Sequence, residues 1–170
     1  MAHLFVQGIA AMSERPVRLF FTGLAADLDT LRAAVGSLPF LVQVFLALLS
    51  ADLCQYALHR LFHTVPYLWR FHAVHHSTRA LDWLAGSRQH LVDVVGTRVF
   101  VYLPLFVLGF SPAVFYAYVA VVAIHAVLNH TNTRLRYGWL EWFIVSPRIH
   151  HWHHANDPAA YDKNFCVHFP

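Results

Sequence analysis

The stretch from residue 38 to residue 58 is almost continuously apolar, and it limits the possible folds more than any other part of the sequence. Wound as an α-helix it would be about 31 Å long, which matches the hydrocarbon thickness of a bilayer. The whole chain is 58% hydrophobic and only 12% charged. That charged share is about half the share of a soluble domain, so a domain of 170 residues would have difficulty burying so much apolar surface in water. We therefore predict a transmembrane helix at residues 38–58.

Two further apolar runs, 94–109 and 112–128, follow later in the chain. The tetrapeptide Gly-Phe-Ser-Pro at their junction is typical of a turn. Each run is slightly short for a full span, so the pair predicts a helical hairpin that passes through most of the membrane. Residues 1–37 mix charged and apolar positions, which is typical of an amphipathic or interfacial segment. The predicted organisation is this N-terminal segment followed by an all-α integral membrane helical bundle at residues 38–170.

Fourteen of the 170 residues are histidine, and most of them lie in three short clusters. The clusters read HRLFH at 59–63, HAVHH at 72–76 and HHWHH at 150–154. Spacings of three and four residues place imidazoles on one helix face, where their nitrogens can bind an ion about 2 Å away. Eight such ligands exceed the needs of one ion and favour two ions close together. The predicted ligands are His59, His63, His72, His75, His76, His150, His153 and His154.

The apolar runs also predict on which side of the membrane the histidines lie. If the chain leaves the membrane after residue 58, the hairpin enters and returns, so every histidine cluster lies on one side. Nine of the twelve basic residues lie on that side too. By the positive-inside rule that side is cytoplasmic, so the histidine clusters are predicted to face the cytoplasm. Arg15, Arg18 and Arg32 would lie on the other side unless residues 13–37 re-enter the membrane or line the same face.

The complete set of motifs resembles the fatty acid hydroxylase / sterol desaturase superfamily, the membrane histidine-box di-iron oxygenases. The shared motifs are HRLFH, LWRFHAVHHS, NHTN, SPRIHHWHH and YDKNF, over roughly residues 48–169. The resemblance implies a transmembrane helical bundle whose cytosolic cap holds two metal ions. It also implies O2-dependent hydroxylation or desaturation of a lipid by two iron ions. Matched by position, the resemblance implies that the eight histidines named above are ligands and that His130 is a further one.

Two features depart from the family pattern. Cys166 stands where the family usually has a glycine after the Asn-aromatic pair. Family members also usually continue beyond the position of Pro170, so the membrane domain either ends here or is truncated at its C-terminus. Cys54 and Cys166 form no metal-binding or disulfide pattern and are predicted to be free thiols.

Five more residues are candidates for roles around the metals. His125, about one turn before His130, is predicted to be another ligand or a hydrogen-bond donor to one. Asp52 lies one heptad before His59 on the same helix face, where a carboxylate could orient a ligating imidazole. The same orienting role is predicted for Asn132, Asn164 and His90. His3 and His168 are interpreted as uninvolved.

The implied chemistry sets the cofactors and partners. Breaking an unactivated C–H bond needs a strong oxidant, which iron with O2 supplies and no side chain does. The sequence contains no flavin, haem or ferredoxin motif, so an external reductase, ferredoxin or cytochrome must deliver electrons. Zinc could replace iron in the isolated protein. The scattered basic residues exclude a nucleic-acid patch, and a composition rich in Ala, Val, Leu and Arg favours a bacterial inner membrane.

Several alternatives remain open at this point. The lipid could be a fatty acyl chain, a sterol, a sphingoid base or an ether lipid, and hydroxylation cannot be separated from desaturation. An acyl-lipid desaturase of the other histidine-box fold would have longer gaps between its boxes. A metal transporter would place histidines inside its spans near the midplane, whereas only His125 is predicted to lie within one here.

Overall fold

The regular structure is entirely helical in the part of the chain that the computed structural model describes, which is Leu19 and residues 22–170. The helices are α1 (residues 22–36), α2 (Phe40–Thr64), α3 (Pro66–His76), α4 (Leu91–Val107), α5 (Pro112–His130) and α6 (Pro147–His153), with 3-10 helices at Ala85–Ser87 and Gly138–Trp142. The predicted all-α class is confirmed. Expectations for His3, Arg15 and Arg18 lie outside the described residues.

Helix α2 is longer than the predicted span, because it continues through the first histidine cluster to Thr64. It ends there because Pro66 disfavours helical backbone at the preceding residue, and Val65 accordingly adopts φ −98° and ψ 112°. Pro66 then begins α3, where its missing N–H costs nothing. The histidines of the first cluster therefore lie on the same continuous helix as the apolar run.

Two helices in the described part of the chain, α2 and α5, are long and apolar enough to cross a membrane. Helix α4 forms the other half of the predicted hairpin, but it has 17 residues and contains Pro104. The turn between α4 and α5 uses Gly109 at φ +73°, a left-handed conformation that favours glycine. The side chain of Ser111 then caps α5 by accepting the backbone N–H of Val114 at 3.3 Å.

Small side chains let α2 pack closely against the hairpin. Ala47 and Ala51 of α2 are almost fully buried against Val101, Leu105, Val114 and Tyr118 of α4 and α5. Small residues allow such close approach between helices in a membrane. The opposite face of α2 exposes large apolar residues such as Leu41 and Leu53. This pattern suits a bundle whose outer surface faces lipid rather than water.

Helix α1 contacts the end of the hairpin that lies farthest from the histidine clusters. The Nε–H of Arg32 donates to the carbonyl oxygen of Val107 at 3.0 Å, beside the α4–α5 turn. The ends of α2 and α5 that carry His63 and His130 point the other way. Arg32 therefore lies at the opposite end of the bundle from the histidines.

Replacing Ala47 with leucine is expected to lower stability by about 1–3 kcal/mol, because an overpacked core forces side chains and backbone apart. Ala47 has no exposed surface to relieve the strain. Thermal unfolding of the purified protein in detergent measures the effect, with Leu41→Ala on the exposed face of the same helix as the control. An unchanged melting temperature for Ala47→Leu would show that α2 does not pack tightly on the hairpin.

Candidate metal centre

Nine histidines converge in two groups at one end of the bundle, where α2, α3, α5 and α6 meet. The first group, which we call site I, consists of His59, His63, His72, His76 and His153. The second group, site II, consists of His75, His130, His150 and His154. Within each group, one ring nitrogen from every histidine lies within 4.8 Å of all the others. The two groups contain all eight predicted ligands together with His130.

Helices α3 and α6 each contribute adjacent residues to different sites. His75 belongs to site II and His76 to site I, while His153 belongs to site I and His154 to site II. Consecutive residues on a helix point about 100° apart, so each helix can serve two neighbouring ions. The rings of His76 and His154 stack across the boundary with centroids 4.3 Å apart. Imidazole rings of the two sites are therefore in direct contact.

Three imidazoles of site I have their Nδ1 atoms fixed by oxygen acceptors. His59 Nδ1 lies 2.8 Å from the carbonyl oxygen of Phe165, and His153 Nδ1 lies 2.8 Å from that of Lys163. His72 Nδ1 lies 2.7 Å from Asp93 Oδ2, and Asp93 is only 2% exposed. Since these oxygens only accept, each Nδ1 carries the proton and each Nε2 keeps a free lone pair.

The Nε2 atoms of site I have no partner of their own. In the described part of the chain, all five are buried without a hydrogen bond, namely those of His59, His63, His72, His76 and His153. Buried polar atoms are normally satisfied, so five unsatisfied ring nitrogens brought this close together require an explanation. A metal ion among them satisfies all five, with the Nδ1 bonds orienting the rings in the usual way for metal-binding histidines.

In site II, short distances between ring nitrogens that are hydrogen-bond acceptors also indicate a place for a cation. His75 and His130 direct Nδ1 towards the carbonyl oxygens of Arg88 and Ala126, at 3.3 and 2.8 Å. Their Nε2 atoms are consequently both unprotonated, yet they lie 3.3 Å apart. Two lone pairs at that distance repel each other unless a cation lies between them. His150 extends the cluster, with its Nε2 3.0 Å from that of His130 and 3.1 Å from that of His154.

The histidines are held in the neutral form that binds metals. Burial, reinforced by neighbouring histidines, lowers the pKa of His75 to about 3. Burial also lowers the pKa of His153 to about 4. The same two causes hold the pKa values of His76, His150 and His154 well below the ordinary value. Neutral imidazoles need not release a proton before binding an ion.

Among the described residues, neither group includes a carboxylate. The positive charge of two bound ions would therefore not be neutralised by their ligands. Within the described part of the chain, Asp93 is the one carboxylate that hydrogen-bonds a group member, His72. This arrangement differs from the two-histidine, one-carboxylate pattern of many non-haem iron sites.

Asp52 was predicted to orient a ligating histidine, but its carboxylate contacts the C-terminal segment instead. It accepts the backbone N–H groups of His168 at 3.0 Å and Phe169 at 3.1 Å. The reason is distance, because seven helical residues place His59 about 10 Å farther along α2. Among the described residues, the hydrogen bonds of Asp52 therefore go to the C-terminal segment and not to a member of either group.

His125 lies outside both groups. Its Nε2–H donates to the carbonyl oxygen of Val145 at 2.8 Å, and its Nδ1 accepts from His168 Nδ1 at 2.7 Å. Five residues separate it from His130, which turns it about 140° away around α5. His168, interpreted as uninvolved, is 6% exposed and completes this separate pair. The contacts of His168 with Asp52, His125 and Val145 are all long-range in sequence, so only its closeness to the YDKNF motif could have indicated a role.

The remaining predicted residues lie around the groups rather than bonded to them. His90 caps α4 by accepting the N–H of Val92 at 3.1 Å, and its ring lies 4.9 Å from that of Phe71. Asn132 is exposed at the rim of the adjacent cavity. Asn164 is exposed and adopts φ +56°. The orienting groups that sequence reasoning missed are Asp93 and four backbone carbonyls. Of these five groups, only Asp93 is marked in the sequence, as an acidic residue at the start of an apolar run.

A cavity of about 1030 Å³ opens onto the histidines. Its lining combines histidines of both sites with the apolar Trp69 and Leu81 and the charged Arg79 and Asp162. Histidines from both sites, His63, His76, His153 and His154, line it. A molecule in this cavity would lie against imidazoles of both sites.

Replacing Asp93 with asparagine is expected to weaken metal binding at site I by about 10–100-fold, because the charged acceptor that fixes the His72 ring is lost. Competition with a chelator measures the change in affinity. Asp157→Asn is the matched control, since Asp157 is exposed and an asparagine can keep its bond to the Ala159 N–H. Equal affinities for the two variants would contradict an orienting role for Asp93.

Comparison with known proteins identifies relatives. The family model for fatty acid hydroxylase matches residues 44–170. The chain is 37% identical over 127 residues to ornithine lipid hydroxylase OlsE of Rhizobium tropici, covering 75% of this chain and 38% of that protein. It is 31% identical over 122 residues to alkylglycerol monooxygenase of Danio rerio, covering 72% of this chain and 27% of that protein. The chain thus spans less than two fifths of the length of these relatives, and no solved structure matches it.

Proposed function

This chain belongs to the fatty acid hydroxylase family, and we propose that it forms the catalytic part of a membrane-bound oxidoreductase that hydroxylates a lipid with two iron ions and O2. The observation that carries this proposal is the convergence of nine imidazoles in two groups. The names of the relatives, a hydroxylase and a monooxygenase, favour hydroxylation over desaturation.

We assign one ion to each group of histidines. Site I would hold its ion through the Nε2 atoms that lack hydrogen bonds, and site II through the Nε2 atoms that lie 3.0 to 3.3 Å apart. Two iron ions with O2 and external electrons would supply the oxidising power needed to break an unactivated C–H bond. Zinc binds similar ligands but has no redox chemistry, so a zinc-loaded protein would be inactive.

The chain's own residues would prepare this chemistry by orienting and desolvating the site. Asp93 and the carbonyls of Lys163 and Phe165 keep the protons of three imidazoles on Nδ1. Burial keeps the rings neutral, so the ions face lone pairs rather than N–H groups. His125 and His168, which bond each other, are assigned to support of α5 and of the C-terminal segment rather than to metal binding.

The cavity supports an amphiphilic substrate with a polar head group and a long alkyl chain. Ornithine lipid and alkylglycerol, named in the relatives, share that chemistry. Trp69 and Leu81 offer apolar contact for a chain, while Arg79, Asp162 and Asn132 offer polar contact for a head group. We propose that such a lipid binds in this cavity with its target carbon close to the imidazoles of both sites.

We place the histidine end at the cytoplasmic face of a bacterial inner membrane, with residues 38–170 as the membrane domain and residues 1–37 as an interfacial segment. The basic residues near the histidines support that orientation by the positive-inside rule. Arg32, at the opposite end, is the exception to it. An external reductase, ferredoxin or cytochrome would deliver the electrons.

The test is lipid analysis of a bacterial host that expresses the full chain. Growth under isotopically labelled O2 should place labelled oxygen in a lipid alkyl chain, and a His75→Ala variant should produce none. A lipid that loses two hydrogens without gaining the label would indicate desaturation instead. Unchanged lipids with altered metal uptake would contradict the enzyme and favour a transporter.

A further inference from the structure

Residues 163–169, which we call the strap, connect three helices of the bundle without forming regular structure themselves. The carbonyl oxygens of alternate strap residues, Lys163, Phe165 and Val167, each accept a hydrogen bond from a side chain. The donors are His153 of α6, His59 of α2 and Asn129 of α5, at 2.8, 2.8 and 3.1 Å. Two of these three donors are members of site I.

Asp52 binds the far end of the strap. Its carboxylate is 5% exposed and accepts the N–H groups of His168 and Phe169, one on each oxygen. Among the described residues Asp52 forms no ion pair, so the strap provides its close polar contacts. The backbone N–H of Val145 adds a bond to the carbonyl of His168 at 2.9 Å. The strap is therefore fixed where it leaves the histidines.

The two sites depend on the strap unequally. Site I receives two of its orienting acceptors from it, for His59 and His153, and the carboxylate of Asp162 just before it lies 3.8 Å from His63 Nδ1. In site II, the acceptors for His75 and His130 come from Arg88 and from α5 itself. In the described structure no strap atom hydrogen-bonds a member of site II.

We propose that the strap, clamped by Asp52, is a positioning element for site I alone, so that loosening it releases one metal ion and leaves the other bound. This inference rests on the two-ion centre proposed above. It assigns Asp52 a role through the backbone, not through contact with an ion. It also predicts that the two ions differ in how firmly the protein holds them.

Asn164 offers a second way to disturb the strap. It lies between the two carbonyls that orient His153 and His59, and its φ of +56° is left-handed. Asparagine and glycine tolerate that conformation, whereas a β-branched side chain resists it. Asn164→Val should therefore displace the carbonyls, and Asn164→Gly should keep them.

The experiment counts ferrous ions bound anaerobically per purified full chain. We expect two for the wild type, one for Asp52→Asn, and two for Asp27→Asn, an exposed control on α1. Combining Asp52→Asn with His150→Ala of site II should leave none. Combining it with His59→Ala of site I should still leave one, because both changes act on the same ion.

The outcomes separate this inference from the proposed function. A wild type that binds no iron overturns both. If the wild type and the Asp52→Asn variant each bind two ions, the strap inference alone is overturned. It is also overturned if the double variant Asp52→Asn/His59→Ala binds no ion. If Asp52→Asn does not fold, the two Asn164 variants decide. One bound ion for Asn164→Val and two for Asn164→Gly would support the strap inference, and equal numbers would contradict it.

Discussion

Replacing His150 with alanine is expected to abolish lipid oxidation and to reduce the bound metal from two ions to one. His150 lies at the centre of site II, is 5% exposed, and has its Nε2 close to those of both His130 and His154. Loss of a mere orienting partner typically costs about 10–100-fold in affinity or activity. Loss of a central ligand should therefore lower the product yield by more than about 100-fold.

Product formation and metal content should be measured on the same preparation. His90→Asn is the matched control, because it removes a histidine from outside both groups while asparagine can still cap α4. The control should retain two ions and the wild-type yield. If His150→Ala kept both ions and full product, site II would not be a metal site.

The metal-free protein is expected to lose stability steeply as the pH falls from about 7 to about 5. In the folded chain the pKa of His75 is about 3 and that of His153 about 4, against 6.5 in an unfolded chain. Between these values the unfolded chain binds more protons, so acid favours unfolding. The contribution of these two histidines to the free energy of unfolding is fully present above pH 6.5. Between about pH 7 and pH 5 it falls by roughly 2 kcal/mol for each histidine.

Thermal unfolding after chelation, followed at several pH values, measures this loss. Adding metal should raise the melting temperature most near neutral pH, where the ion does not compete with protons for the imidazoles. A melting temperature of the chelated protein that does not change between pH 7 and pH 5 would contradict the burial of these rings in the neutral form.

The sequence predicted which histidines come together but not how they divide. Spacing on a helix identifies one face, and HAVHH places His72, His75 and His76 near one another in any helical fold. The division of His75 and His76 between two sites depends on where α5 and α6 bring His130 and His150, which no local pattern encodes. The membrane helix could be predicted for the same reason as the clusters, because a long apolar run is a local signal.

The groups that orient the rings were the hardest to foresee. Carbonyl oxygens such as those of Lys163 and Phe165 exist at every residue, so nothing marks the ones that a fold will use. Asp52 was recognised as unusual but was assigned the wrong kind of contact, because its partner lies 116 residues away in sequence. His168 carried no motif at all. Long-range backbone contacts therefore set the limit of sequence reasoning here.

The division of neighbouring residues between the two sites has a mechanical consequence. Because His153 and His154 are joined by one peptide bond, a rotation at the end of α6 that moves one ring within its group must also move the adjacent ring within the other group. A movement of the end of α6 therefore changes both groups of imidazoles at once. Changes in reactivity between relatives should instead arise at the oxygen atoms behind the rings, where each imidazole can be adjusted individually.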